Sequence, residues 1–239
     1  MDMSSDDTKN DSYAECRPLR NLSELLNFRS IACHAQADTP PSVQATLPNR
    51  PRMLFCHDFK GGYLLDRYHC HRDKLRELPD YNPSLDYRFD YWDRVDVFIY
   101  FSHHLVTVPP CSWIKQAHSN GVKILGTFIV EWNTKLAEEL FAPENRRKVI
   151  RSLVEVCEQT GFDGWLFNME VCINEKTVSV LIDFVREVRA QLAELRSGSL
   201  VLWYDSVITS GKICYQNELV PANKPFFDVC DGIFLNYQW

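Results

Sequence analysis

The sequence predicts an α/β fold of the TIM (β/α)8-barrel type, apparently incomplete, with about six of the eight βα units. Short apolar runs rich in β-branched and aromatic residues alternate with longer segments of helical periodicity, the pattern of βαβ units around a parallel sheet. Polar and aromatic side chains recur at the carboxyl ends of these runs, and a barrel builds its site from that rim. An open doubly wound sheet is the alternative. It concentrates its ligands at one switch point, and the chain has neither glycine-rich nucleotide motif.

Six candidate strands lie at residues 53–58, 95–101, 122–130, 164–170, 200–206 and 232–238. Segments with helical spacing of apolar residues lie at 113–120, 145–160 and 177–195. Asn21 is a candidate N-cap for a short helix at 22–28. A closed barrel needs eight strands and about 250 residues, so we expect a barrel truncated after its sixth strand. Its first and last strands would then have unpaired edges.

The chain divides into three predicted regions. Residues 1–17 are polar and acidic without periodicity, which predicts a disordered tail. Residues 18–52 form a lead-in segment that becomes rich in proline and small polar residues. Residues 53–239 contain the partial barrel.

Composition excludes several classes of protein. The 239 residues carry a net charge of −6, which argues against a nucleic-acid binder that relies on phosphate contacts. No run of 18 apolar residues is present, and the N-terminus lacks the basic start and apolar run of a secretory signal. We therefore expect neither a nucleic-acid partner nor a membrane span.

The nine cysteines are odd in number and never have Cys-x-x-Cys spacing, which favours reduced thiols in a cytosolic protein. His69, Cys70 and His71 are adjacent potential ligands, but neighbouring residues rarely converge on one metal ion. We expect no metal and no cofactor.

The run from Gly161 to Glu170 is the strongest candidate for a functional site. It reads as a buried strand that follows a glycine-rich turn. Because strand side chains alternate between faces, Asn168 and Glu170 point the same way. An amide and a carboxylate together at the carboxyl end of a barrel strand indicate an active site. The alternative is a polar pair that satisfies its own hydrogen bonds.

A series of motifs in fixed order over about residues 53–239 makes the interpretation more specific. They are His57-Asp58, Lys60–Tyr63, Val97–Pro110, Trp113, Ala117-His118, Gly121-Val122, Leu125–Ile129, Glu131-Trp132, Phe162–Trp165 with Asn168 and Glu170, Trp203–Ser206, Asp231-Gly232, and Asn236-Tyr237 with Trp239. Together they resemble glycoside hydrolase family 85, the cytosolic endo-β-N-acetylglucosaminidases. The chain departs from the family at Tyr215, where a tryptophan is common.

The resemblance implies a cytosolic enzyme that hydrolyses the β-1,4 bond between the two core N-acetylglucosamines of an N-glycan or glycopeptide. One carboxylate beside one amide suits a substrate-assisted, retaining mechanism, in which the sugar's own 2-acetamido oxygen attacks C1 and forms an oxazolinium. Glu170 would be the general acid and base. Asn168 would orient the acetamide, and by resemblance Tyr204 would contact it.

Further residues are candidates for substrate binding: Trp132, Glu131, Asn236, Tyr237, Trp239 and His57. Aromatic side chains stack on the apolar faces of sugars, although core packing is the alternative for each of them. Two other functions stay open. The chain could be a truncated, inactive relative that at most binds glycan, or a chitinase-like barrel hydrolase. The spaced acidic residues of the chitinase pattern are absent from the fourth strand.

Overall fold

A computed structural model of the chain describes residues 17–29, 47–58 and 88–236. The predicted disordered tail lies outside these residues, except for Arg17. Lys60–Tyr63, Tyr237 and Trp239 also lie outside them.

The described residues form a curled sheet of six parallel strands and one short antiparallel strand. The strands are β1 (Leu54–His57), β2 (Val97–Tyr100), β3 (Val106–Thr107), β4 (Lys123–Glu131), β5 (Gly164–Glu170), β6 (Leu200–Tyr204) and β7 (Gly232–Phe234). Their order in the sheet is β1-β2-β4-β5-β6-β7, with β3 antiparallel to the carboxyl half of β4. The parallel strands follow chain order, as in a barrel and unlike a doubly wound sheet, so the expected incomplete barrel is confirmed.

The helices cover the outer face of the sheet. They are α1 (Leu22–Leu26), α2 (Cys111–Ser119), α3 (Thr134–Phe141), α4 (Pro143–Thr160), α5 (Glu175–Leu195) and α6 (Lys224–Phe227), with a 3₁₀ helix at Trp92–Arg94. The helices predicted at 113–120, 145–160 and 177–195 are present, and Asn21 caps α1 by accepting a hydrogen bond from the Glu24 N–H. Sequence periodicity missed α3, α6 and β3.

Alternation along β5 separates two apolar layers. Trp165, Phe167 and Met169 are fully buried in the large core between the sheet and the helices. Leu166 points to the other, inner face, where it joins a smaller cluster with residues of β2, β4 and β6. Asn168 and Glu170 have the same parity as Leu166 and therefore lie on the inner face.

A repeated aspartate clamps the amino ends of neighbouring strands. Asp96, Asp163 and Asp231 each directly precede a strand. Their carboxylates accept hydrogen bonds from backbone N–H groups at the start of the adjacent strand, at Met53, Ile124 and Val201 respectively. Each aspartate also pairs with a basic side chain. These bonds hold strand register at the end of the sheet opposite the candidate site.

Candidate active site

The site centres on the carboxyl end of β5. Asn168 is 2% exposed, and its Nδ2 donates to Glu170 Oε1 at 3.2 Å. The other end of the amide, Asn168 Oδ1, is buried and has no hydrogen-bond partner in the described part of the chain. A buried acceptor without a donor costs about 1–3 kcal/mol, and groups of this kind in native proteins call for an explanation. The strand thus presents a half-buried carboxylate next to an amide oxygen that is ready to accept a hydrogen bond.

A second carboxylate lies beside the first. Glu131 at the end of β4 is directly opposite Glu170 in the parallel register. His103 Nδ1 lies 2.9 Å from Glu131 Oε1, and His103 Nε2 lies 3.8 Å from Asp58 Oδ2. This line of side chains joins the ends of β4, β2 and β1 and gives the rim an anionic character next to the proposed acid.

Two tyrosines form the opposite side. The Tyr204 hydroxyl, at the end of β6, donates to Asn236 Oδ1 at 3.2 Å. The Tyr215 ring centroid lies 6.3 Å from that of Tyr204. Partial burial, the charge of Glu170 and a hydrogen bond with it raise the pKa of the Tyr215 phenol, as does the charge of Glu131. The phenol therefore stays protonated beside Glu170 and can donate to it.

Tyr215 reaches this position because its loop is anchored to β6. Asp205 directly follows that strand and is fully buried. Its Oδ2 accepts the backbone N–H groups of Gln216 and Asn217, each at 2.8 Å, and its Oδ1 accepts from Asn223 Nδ2 at 3.0 Å. The loop has no periodic sequence pattern, so only the departure from tryptophan at position 215 marked this aromatic residue in advance.

Trp132 stands at the end of β4 with an unusual backbone conformation. Its φ of 54° is in the left-handed region that a bulky residue rarely adopts. Its N–H donates to the Glu170 carbonyl at 2.9 Å, while 73% of the residue is exposed. Backbone strain of this kind clusters at functional sites. The result is an exposed indole held next to the carboxylate pair.

The structure does not bring His57 to this site. His57 is 2% exposed and packs against Phe98, Tyr100 and Trp113 in the outer core. It has the opposite parity from Asp58, so Asp58 occupies the inner face at the end of β1. Trp203 also packs in the core, where it stacks on Phe226 with 4.3 Å between centroids.

Of the residues predicted for the site, the structure brings together Asn168, Glu170, Glu131, Trp132, Tyr204 and Asn236. Among the described ranges, no group of three or more histidine, cysteine, aspartate or glutamate side chains is arranged to hold a metal ion. No helix in those ranges is long and apolar enough to cross a membrane.

Comparison with known proteins gives the family. The sequence profile of glycosyl hydrolase family 85 matches residues 69–239. The chain belongs to glycosyl hydrolase family 85. Among relatives, it is 43% identical over 228 residues to cytosolic endo-beta-N-acetylglucosaminidase 2 of Arabidopsis thaliana, covering 93% of this chain and 31% of that protein. It is 40% identical over 232 residues to the Homo sapiens cytosolic endo-beta-N-acetylglucosaminidase, covering 92% of this chain and 30% of that protein.

This family 85 chain therefore spans about a third of the length of those curated relatives. Its fold is similar to the glycoside hydrolase domain of Endo-D from Streptococcus pneumoniae R6, with a TM-score of 0.67 and 18% identity. That match covers 95% of this chain and 38% of the Endo-D domain, which supports the partial barrel.

Proposed function

We propose that this family 85 chain carries the catalytic centre of a cytosolic endo-β-N-acetylglucosaminidase. The enzyme would cleave the β-1,4 bond between the two core N-acetylglucosamines of N-glycans or glycopeptides. The relatives are named for this activity and for the cytosol. The observation that carries the proposal is the buried Asn168 Oδ1, an acceptor without a donor, next to Glu170.

A 2-acetamido group supplies the donor that Asn168 lacks. Its N–H would donate to Asn168 Oδ1, and this bond turns the acetamide oxygen towards C1 of the same sugar. The bond also strengthens as the nitrogen gains positive charge, because hydrogen bonds to charged groups are stronger than neutral ones. Asn168 would therefore bind the transition state more tightly than the ground state, which is the condition for catalysis.

Glu170 performs the proton transfers in this scheme. As the acetamide oxygen bonds to C1, the bond from C1 to the leaving oxygen breaks, and Glu170 gives its proton to that oxygen. In the second step Glu170 takes a proton from water, the water oxygen attacks C1, and the oxazolinium ring opens to restore the acetamide. Two inversions at C1 give net retention.

The remaining side chains hold and orient the glycan. Trp132 offers an exposed ring for stacking on a sugar face. Glu131, which is paired with Glu170 in the strand register, would accept hydrogen bonds from sugar hydroxyls. The Tyr215 phenol, whose pKa is raised by burial and by the nearby charge of Glu170, would stay protonated and offer a donor beside that carboxylate. Tyr237 and Trp239 stay candidates on sequence grounds alone.

The experiment is digestion of a fluorescent high-mannose glycopeptide, with the single N-acetylglucosamine left on the peptide as the diagnostic product. Glu170→Gln should lower turnover by about 10²–10⁴-fold. Glu131→Gln is the matched control, because it removes the carboxylate that is paired with Glu170 on the adjacent strand. This change should weaken substrate binding more than it lowers turnover. Equal losses of turnover in the two variants would contradict the assignment of Glu170.

The acetamide itself provides an independent test. A substrate whose cleaved sugar carries a 2-hydroxyl in place of the acetamide should not be hydrolysed, since it lacks the internal nucleophile. Cleavage at an unchanged rate would refute substrate assistance. Cleavage of chitin oligosaccharides in preference to the glycopeptide would favour the chitinase-like alternative.

A further inference from the structure

His103 lies between two carboxylates at the rim of the sheet. Its Nδ1 is 2.9 Å from Glu131 Oε1 and 3.2 Å from Glu131 Oε2, and its Nε2 is 3.8 Å from Asp58 Oδ2. An ionised carboxylate has acceptors only, so the hydrogen of the shorter contact belongs to the imidazole. His103 Nδ1 therefore donates to Glu131, and Asp58 faces the other ring nitrogen.

The turn that carries His103 is fixed at its base. It connects β2 to β3, and the hydroxyls of Ser102 and Thr107, both fully buried, form a hydrogen bond of 2.7 Å across it. The Ile129 N–H, in β4, donates to the Leu105 carbonyl at 2.9 Å. The position of the imidazole beside the end of β4 is therefore set by the fold rather than by a ligand.

Glu131 has a second carboxylate on its other side. It is paired with Glu170 in the register of β4 and β5. Like charges at paired positions of adjacent strands repel each other when both are ionised. β2 and β5 flank β4 on opposite edges, so His103 reaches Glu131 from the side away from Glu170. The hydrogen bond from Nδ1 thus holds the Glu131 carboxylate in one orientation against this repulsion.

We propose that His103 is a positioning residue that orders the Glu131 carboxylate in advance for binding the hydroxyls of the glycan. The inference rests on the proposed function, in which Glu131 accepts from sugar hydroxyls. A glutamate side chain that is free to rotate loses conformational entropy when a ligand fixes it. Fixing the side chain beforehand removes that cost from binding. The contribution of His103 therefore lies in affinity for the glycan and not in the rate of bond cleavage.

Alanine and asparagine at position 103 separate this role from a general loss of the side chain. His103→Ala removes the donor. His103→Asn is the matched control, because the asparagine Nδ2 can take the place of the imidazole Nδ1 and still donate to Glu131. The His103 side chain is 54% exposed, so neither change opens a cavity in the core. An exposed charged pair contributes little, and we expect an effect of about 2- to 5-fold.

The experiment measures binding of the fluorescent high-mannose glycopeptide by fluorescence anisotropy in the Glu170→Gln background, which suppresses turnover. His103→Ala should raise the Kd by about 2- to 5-fold, and His103→Asn should keep it unchanged. After Glu131→Ala, the change His103→Ala should have no further effect, because the carboxylate that it positions is gone. With Glu170 restored, His103→Ala should raise KM by the same factor and leave kcat close to the parent value.

Three results would overturn the proposal. Additive losses of affinity in the His103→Ala/Glu131→Ala variant would show that His103 does not act through Glu131. Equal weakening by asparagine and alanine would show that the Nδ1 donor is not the group that matters. A fall in kcat at constant KM would show that His103 acts on the chemical step.

An NMR measurement tests the contact without any activity. In long-range ¹H–¹⁵N spectra, the Nδ1 resonance of His103 should shift in Glu131→Ala, and an unchanged resonance would overturn the pairing. The binding assay separates this inference from the proposed function. If the parent protein does not cleave the glycopeptide but the binding differences occur, the proposed function fails and the positioning role stands. If the parent cleaves it and His103→Ala binds as tightly as the parent, the proposed function stands and this inference fails.

Discussion

Gly164, the first residue of β5, offers a prediction that depends on geometry alone. Its φ is 142°, and a Cβ at this position would lie 1.9 Å from the Leu200 carbonyl oxygen and 2.8 Å from the Leu200 carbonyl carbon. Both obstacles are backbone atoms of β6, so no side-chain rotation can relieve the overlap. Gly164→Ala must therefore change the backbone of β5 or move it away from β6.

The expected cost has two parts. A non-glycine residue in this region of φ costs about 1–3 kcal/mol, and forcing extra atoms into a packed site costs about 1–3 kcal/mol more. Gly164→Ala should thus lower the free energy of unfolding by about 2–6 kcal/mol, a large share of the 5–15 kcal/mol that is typical of native proteins.

Gly161→Ala is the matched control three residues earlier. Gly161 also has a positive φ, 89°, but no atom lies within 4 Å of its added Cβ. Gly161→Ala should therefore lower the free energy of unfolding only by the cost of a left-handed backbone, about 1–2 kcal/mol. Urea denaturation followed by tryptophan fluorescence is a suitable assay, because Trp165 and Trp203 are fully buried on β5 and β6. Equal denaturation midpoints for the two variants would refute the close approach of these strands.

Two further predictions concern charge and thiol chemistry. The hydrogen bond from Arg50 lowers the pKa of Asp96, so its contribution to stability is present above the usual pKa of about 3.8 and is lost as pH falls through the folded pKa. Asp96→Asn should destabilise the protein at pH 7, and urea midpoints for variant and parent should converge at acidic pH; a gap that persists there would contradict this cause. Burial raises the pKa of Cys157, and it raises those of Cys56 and Cys230 to about 12, whereas Cys172 and Cys214 are exposed. Among the six cysteines of the described ranges, iodoacetamide at pH 8 should therefore label Cys172 and Cys214 first in peptide mapping, and equally fast labelling of Cys157 would refute its burial.

Much of the fold could be predicted because it rests on local patterns. The α5 helix was expected over 177–195, and it begins slightly earlier, at Glu175, because Asn174 caps it by accepting from the Lys176 N–H. The α3 helix was missed. It is only Thr134–Phe141 and is separated from α4 by the single residue Ala142, so its short periodic pattern was difficult to separate from the next helix. The two-residue strand β3 gives no periodic signal at all.

In the site too, relations within one strand could be predicted from local patterns, and relations that depend on packing could not. Strand alternation alone put Asn168 and Glu170 on one face, since that relation spans two residues of one strand. His57 was the predicted binding residue at the end of β1, but it and Asp58 lie on opposite faces of the strand, and which face is the inner one depends on how β1 packs against the helices. The structure puts His57 in the outer core, so Asp58, rather than the histidine, reaches the rim through His103.

The amide and carboxylate of β5, and with them the family, were determined by the sequence itself, because motif order and a period of two are properties of the chain. Only the tertiary structure decided what surrounds them. Glu131 comes level with Glu170 through the register of two parallel strands, and Tyr215 reaches Glu170 because buried Asp205 binds the backbone of its loop. Such contacts join residues distant in sequence through hydrogen bonds that no local pattern encodes.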